Sequence, residues 1–349
     1  MSPSMHTVYA GSYAPGGKPG IYEFAFNDET GALEPRGSVS GIENPSFIAM
    51  HPSLPFIYAV GETGGSKPGT VWAVRLGDKS SFKLMGSQRS EGDSPCHIAI
   101  DHTAHWIVVS NYGSGTAAVF PVGKDGKLGK RVAVVQHKGS GANKDRQSSA
   151  HAHSAVFTPD GNYVIVADLG TDDLMIYDFD AASGHMTLHA QMKTHPGAGP
   201  RHMAFHANGN ILYVANELNN TVAVYDYEEG SLKERQVISS VPPDSKESFI
   251  ADIHIEGGRL YVSNRGNDSI AVFDIAEDGA LSLAAVRPCG GAHPRNFAIA
   301  PGGRFLLVAN QNSDNIVIFK IDKATGQLTD TGNRIDVGSP VCLKWVQGP

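Results

Sequence analysis

The chain has 349 residues, a formal net charge of −7 and 41% hydrophobic residues, with 40 glycines and 20 prolines. This is the composition of a globular, turn-rich protein: no stretch approaches the roughly 20 apolar residues of a membrane span, and no basic tract is long enough to grip the phosphate backbone of a nucleic acid. The three cysteines, Cys96, Cys289 and Cys342, have no metal-ligand spacing and cannot all pair, which suits a reducing, cytoplasmic setting.

Met1 to Thr7 is short and polar, without the basic-then-apolar order of a secretory signal. A β-branched and aromatic run, Thr7-Val8-Tyr9-Ala10, ends at Gly11, and a hairpin signal follows at Gly31-Ala32-Leu33. A polar cluster, Asn44-Pro45-Ser46-Phe47, opens the next strand, and a second run ends at Gly61. The same order then returns about every fifty residues, with strands ending at Asn111, Asp168, Asn216, Asn264 and Asn310, the period of a repeat architecture. Each copy supplies four strands. A polar-cluster strand such as Pro200-Arg201-His202-Met203-Ala204-Phe205 runs into a tight turn such as Thr158-Pro159-Asp160-Gly161. Then come the apolar run, an alternating third strand such as Thr221-Val222-Ala223-Val224-Tyr225-Asp226, and a hairpin carrying Gly-x-Leu or a near relative, as at Gly184-His185-Met186 and Gly230-Ser231-Leu232. One insertion, His137 to Ser149, lengthens a single interval; rich in Lys, Gly, Ser and Asn, it reads as a mobile loop. At the far end, Ser339 to Val346 is the polar-cluster strand that the N-terminus lacks.

These elements predict an all-β fold, a seven-bladed β-propeller with four antiparallel strands per blade, forming one domain over residues 1–349. Pairing of the C-terminal strand with the N-terminal blade closes the ring and leaves no open edge there.

In such a ring the start of each first strand and the loop after each second strand converge on one mouth of the central channel. The first position carries Ser46-Phe47, Cys96-His97, His153-Ser154, Arg201-His202, Ala251-Asp252, Arg295-Asn296 and Val341-Cys342; the second carries Ser12, Glu62, Tyr112, Leu169, Glu217, Arg265 and Gln311. A ring that only had to pack would repeat one small residue. The recurring Asn or Asp at the strand ends reads as a turn former, and His202, His206 and His254 are equally well read as half-buried histidines satisfied by backbone. His151 and His153 share a strand face like half a metal site, but no matched carboxylate spacing accompanies them, so neither metal nor cofactor is expected. Arg201, Glu217 and Arg265 are different, because charges in a narrow channel cost desolvation energy unless they pair or bind something.

Taken together, Asn44-Pro45-Ser46-Phe47, Ser94-Pro95-Cys96-His97, Asn111-Tyr112-Gly113-Ser114-Gly115, His151-Ala152-His153-Ser154, Gly199-Pro200-Arg201-His202, Asn216-Glu217-Leu218, Ala251-Asp252-Ile253-His254, Ser263-Asn264-Arg265-Gly266 and His293-Pro294-Arg295-Asn296-Phe297 closely resemble the seven-bladed propeller lactonases. That family includes bacterial propeller-type 6-phosphogluconolactonase and fungal carboxymuconate cyclase. The resemblance covers every blade and implies a catalytic core of His153, Arg201, Glu217 and Arg265. His97, His151, His202, Asp252, Arg295 and Asn296, at or beside the converging positions, are the substrate-binding candidates. A shortened turn at Glu256-Gly257-Gly258 departs from the pattern in the repeat that holds Asp252.

The residue types fit the chemistry on their own. Opening a sugar lactone requires an activated water, donors for the developing oxyanion and a proton for the departing ring oxygen. Flanking arginines keep Glu217 ionised and able to act as a weak base; His153 suits either acid or base. Arginine forks bind carboxylate or phosphate, so a small anionic partner is expected; the resemblance implies that it is a sugar lactone, foremost 6-phospho-D-glucono-1,5-lactone of the pentose phosphate route. No Gly-x-Ser-x-Gly elbow is present, which disfavours an acyl-enzyme. The competing readings are a lactonase for an unphosphorylated sugar acid, a muconate-type lactonising cycloisomerase, and a non-catalytic binding propeller. A monomer or weak homo-oligomer is expected, without nucleic acid or membrane partners.

Overall fold

The structure is a computed structural model that describes residues 4–346. Its strands form seven four-stranded antiparallel sheets. The C-terminal strand Pro340–Trp345 pairs with the N-terminal strand Met5–Ser12, with Val8 opposite Trp345 and Ala10 opposite Leu343, so the chain's own ends staple the ring. No described helix is long and apolar enough to cross a membrane.

The second strand of a blade is buried on both faces. Phe56–Gly61, Trp106–Asn111, Ile211–Asn216 and Phe305–Asn310 have no exposed residue, because neighbouring blades cover each side. Hence these segments read as continuous apolar runs rather than alternating ones. The outermost strands alternate instead, as in Ser231–Ser239. Core clusters cross blade boundaries: Tyr213 and Val224 pack with Ile253 and Val262 of the next blade.

The recurrent Gly of the outer hairpin has a packing cause as well as a conformational one. Gly230 sits at φ +79°, and a Cβ there would stand 2.6 Å from the ring of Tyr163 in the preceding blade. Gly31 makes the same approach to Phe305, at 2.8 Å, across the closure. The strand-end asparagines also brace more than their own turn. Asn111, Asn216 and Asn264 each donate from Nδ2 to the hydroxyl of the residue five positions on, Thr116, Thr221 and Ser269, at 3.0, 3.0 and 3.2 Å. Each therefore ties the end of the second strand to the start of the third. The shortened turn is a two-residue hairpin, with Glu256 opposite Arg259 and both Gly257 and Gly258 at positive φ, and its blade is otherwise complete.

The insertion at residues 137–149 is not a mobile loop. His137 is buried and bonds Asp168 Oδ2 through Nδ1 at 2.7 Å, while the fully buried Gln147 donates to Leu169 O and Asp172 Oδ1 at 2.8 and 2.6 Å. A composition of Gly, Ser and Lys disguised these two buried anchors.

Candidate active site

The first strands start at one mouth of the channel, and five of them carry the same irregularity there, the C-terminal strand at Val341. Pro95 pairs with Asn111 and His97 with Ser110, leaving Cys96 without a partner in the ladder. His153, Arg201 and Arg295 are skipped in the same manner, each between two paired neighbours. A β-bulge re-aims its extra residue. Cys96, His153 and Arg295 accordingly line a cavity of about 190 Å³ together with Glu62, Tyr112, Arg146, Glu217 and Arg265.

Glu217 is the electrostatic centre. Its Oε2 meets Arg201 Nε at 3.0 Å and Arg265 Nη2 at 2.8 Å, and its Oε1 meets Arg146 Nη2 at 2.6 Å. Burial would raise the carboxyl, but Arg265, Arg201 and Arg146 outweigh it and hold Glu217 well below the usual carboxylate range. The lining holds three guanidiniums, of Arg146, Arg265 and Arg295, against two carboxylates, those of Glu217 and Glu62, so the pocket has a cationic surplus; Arg201 lies outside the lining, on Glu217. Arg265 also donates from Nη2 to Ile250 O at 3.0 Å, yet its buried Nε has no partner among the described residues. A buried donor left unmade is costly.

His153 is 4% exposed. Burial, then the charges of Arg201, His202, Arg295 and Arg265, push its imidazole well below its ordinary value, so the ring is neutral. Cys96 Sγ donates to His153 O at 3.2 Å and lies 3.9 Å from His153 Nδ1. Glu62 is held on the opposite side by Tyr13, whose hydroxyl donates to Oε2 at 2.9 Å, and by Ser46.

The other expected binding residues lie outside this cavity lining. His97, His202 and Asn296 follow the bulged residues, pair in the ladder and point into a layer underneath. There Asp252 Oδ1 accepts from His202 Nδ1 at 2.7 Å, Oδ2 accepts from His254 Nε2 at 2.8 Å, and Asn296 bonds the same carboxylate. His97 packs on Phe47 and His202, with ring centroids 4.3 and 5.4 Å apart. His151 is turned away, its Nδ1 on Tyr112 O at 2.8 Å and its ring stacked on Tyr112 at 4.4 Å. These five support the pocket rather than wall it; of the six substrate-binding candidates only Arg295 lines it. Conversely, Cys96, Glu62 and Tyr112 stand at the converging positions of the repeat and were readable there. Arg146 had no periodic signal, because the insertion has no counterpart in other blades.

The buried imidazoles give the fold an acid sensitivity. Burial first, with Arg201, lowers His202 from 6.5 to about 4, and His97 and His153 are lowered in the same direction. Between about 4 and 6.5 the unfolded chain therefore binds more protons than the folded one. Stability is fully present above 6.5 and falls as the pH drops toward 4. Urea midpoints should thus be lower at pH 5 than at pH 7, and identical midpoints would contradict the assignment of neutral buried rings.

His151 and His153 are also poorly disposed to share an ion, since the first lies flat on Tyr112 while the second meets that ring edge-on at 5.6 Å. Among the described residues, no group of three or more His, Cys, Asp or Glu is arranged to hold a metal. Prolonged chelation should leave turnover unchanged; a loss restored by one divalent ion would show otherwise.

A larger hollow, about 840 Å³, lies at the hairpins of the opposite face, lined by Asp160, Asp226, Glu228 and Glu229 with Lys233. Its acidic wall repels the anions that the arginine pocket attracts.

A family model described as "Lactonase, 7-bladed beta-propeller" matches residues 7–345. A 6-phosphogluconolactonase of Bacillus subtilis is 37% identical over 346 residues, covering 97% of each chain. A 6-phosphogluconolactonase of Formosa agariphila is 38% identical over 318 residues, 88% of this chain and 90% of that one. Among solved structures, a periplasmic gluconolactonase of Pseudomonas aeruginosa superposes with a TM-score of 0.93 at 32% identity, covering 99% of this chain and 100% of that chain.

Proposed function

Because the chain belongs to the seven-bladed β-propeller lactonase family, we propose that it hydrolyses 6-phospho-D-glucono-1,5-lactone to 6-phosphogluconate, the lactone-opening step of the pentose phosphate route. The observation that carries this reading is the convergence of three arginines, Arg146, Arg265 and Arg295, on one small pocket beside a neutral buried imidazole, with Arg201 paired to Glu217.

His153 is the general base. Cys96 spends its S–H on His153 O, so its sulfur is free to accept from Nδ1–H, which leaves Nε2 as the lone-pair nitrogen. Nε2 takes a proton from water as the water oxygen bonds to the lactone carbonyl carbon. Arg265, whose guanidinium lines the pocket, stabilises the oxyanion. Collapse breaks the bond to the ring oxygen, which receives the proton from the His153 imidazolium. A lowered pKa makes His153 a modest base but a strong acid, and leaving-group protonation uses the second property. Glu217, with both oxygens committed to guanidiniums, is the fixed counter-ion that keeps Arg201 and Arg265 in place.

The Pseudomonas relative gives an unphosphorylated lactone as the second reading. Acid release from phosphorylated and unphosphorylated gluconolactones, with spontaneous hydrolysis subtracted, separates the two: a higher kcat/KM for the phosphorylated lactone is expected, and the reverse order would transfer the assignment. Free, buried cysteines fit a cytoplasmic location. Exposed large apolar residues such as Leu188, Val134 and Leu283 are few and lie in separate outer strands, which fits a monomer.

A further inference from the structure

Arg146 differs from the other three arginines in how it is held. Arg201 and Arg265 are nearly buried, and each is bound to Glu217 and to a backbone carbonyl, of Ala251 and Ile250 respectively. Arg295 lies over the ring of Tyr13, 5.4 Å from its centroid. The side chain of Arg146 is 35% exposed, touches Glu217 through Nη2 alone and reaches the Tyr112 hydroxyl only at 3.4 Å. Among the described residues its Nε and Nη1 donors have no hydrogen-bond partner, so it presents open N–H groups at the rim while its charge is anchored to the floor.

Its backbone, by contrast, is fixed. Asn143 Oδ1 accepts from the amides of Asp145 and Arg146 at 3.1 and 3.2 Å, and Gln147, the next residue, is the buried anchor of the insertion. Phe249 underlies the guanidinium at 5.5 Å. Lys138 and Lys144 outweigh Asp145 in the same segment and leave it positively charged. A rigid platform holding a half-exposed fork is the arrangement that reads a planar or tetrahedral anion with geometric selectivity.

We propose that Arg146 recognises a phosphate monoester at the rim of the pocket, so that the insertion of residues 137–149 sets the preference of this enzyme for a phosphorylated over an unphosphorylated lactone. The inference rests on the lactonase reading above and goes beyond it by assigning the selectivity to one segment found in a single blade.

The test compares Arg146→Gln and Arg146→Lys with the wild type on 6-phosphogluconolactone and gluconolactone. Both rates fall in Arg146→Gln, because Glu217 Oε1 loses a partner, but the ratio of kcat/KM values is expected to shrink roughly ten- to a hundredfold, the worth of one or two charged hydrogen bonds. Arg146→Lys, keeping the charge without the fork, should fall between. An unchanged ratio, with both rates lowered equally, would overturn the proposal and leave Arg146 as a support of Glu217. Calorimetric titration with inorganic phosphate separates this from a failure of the lactonase reading. If the wild type opens neither lactone yet binds phosphate, and Arg146→Gln abolishes that binding, the anion site stands without the substrate assignment. Phosphate binding that survives Arg146→Gln would sink it. Melting temperatures of both variants within a few degrees of the wild type confirm that the fold is intact.

Discussion

Replacing His153 by alanine is expected to lower kcat by about 10²–10⁴-fold, the range for removal of a general acid–base group. The state of the imidazole suits proton transfer: it is neutral, its Nδ1 faces the Cys96 sulfur, and its Nε2 has no protein partner among the described residues. The alternative base, Glu217, holds three guanidiniums and sits far below the usual carboxylate range. It has no free lone pair well placed to take a proton and little affinity for one. The pH profile adds a second readout. Since burial and Arg201 depress the His153 pKa, the wild-type rate should stay level as pH falls through 6.5 and decline only well below it. Working at slightly acid pH also limits spontaneous opening of the lactone. Full activity in His153→Ala would remove the assignment, and a profile that breaks at 6.5 would contradict the depressed value.

Glu217→Gln is expected to cost about 3–5 kcal/mol of stability as well as most of the activity, because it strips the carboxylate from three guanidiniums, two of them buried. An amide cannot neutralise Arg201 and Arg265, whose burial already presses both below their ordinary values. Removing one partner of a buried pair leaves the other charge uncompensated, and that penalty exceeds the net worth of the pair. The acid response should change with it. Wild-type Glu217, lowered below 4.5, contributes stability that is present above that value and is lost as pH falls further; the variant lacks this contribution throughout. Chemical denaturation at pH 7 measures the first effect. A variant as stable as the wild type but with kcat alone reduced would instead make Glu217 the base, with His153 its partner.

The Arg201–Glu217 pair could be suspected from the repeat, since both stand at converging positions, but two further arginine contacts to Glu217 could not be counted. Arg265 belongs to the same periodic set; Arg146 comes from a segment that only one blade has, and its composition pointed toward mobility. What holds that segment, the buried His137 and Gln147, receives its partners Asp168 and Asp172 from the neighbouring blade, a pairing that sequence proximity does not encode.

By itself the amino-acid sequence determined the number of blades, the order of strands within each, the closure by Ser339 to Val346 and the two positions from which polar side chains converge. These follow from local rules: runs buried on both faces, turns that need positive φ, and a period repeated until the ring closes. The tertiary structure alone decided which member of each doublet faces the pocket. Strand alternation sends Cys96 and His97, or Arg201 and His202, to opposite sides, but does not say which side is the cavity. The bulges at Cys96, His153, Arg201 and Arg295 settle it. Each depends on pairing with a second strand more than ten residues away, and so on a ladder that exists only once the blade has formed.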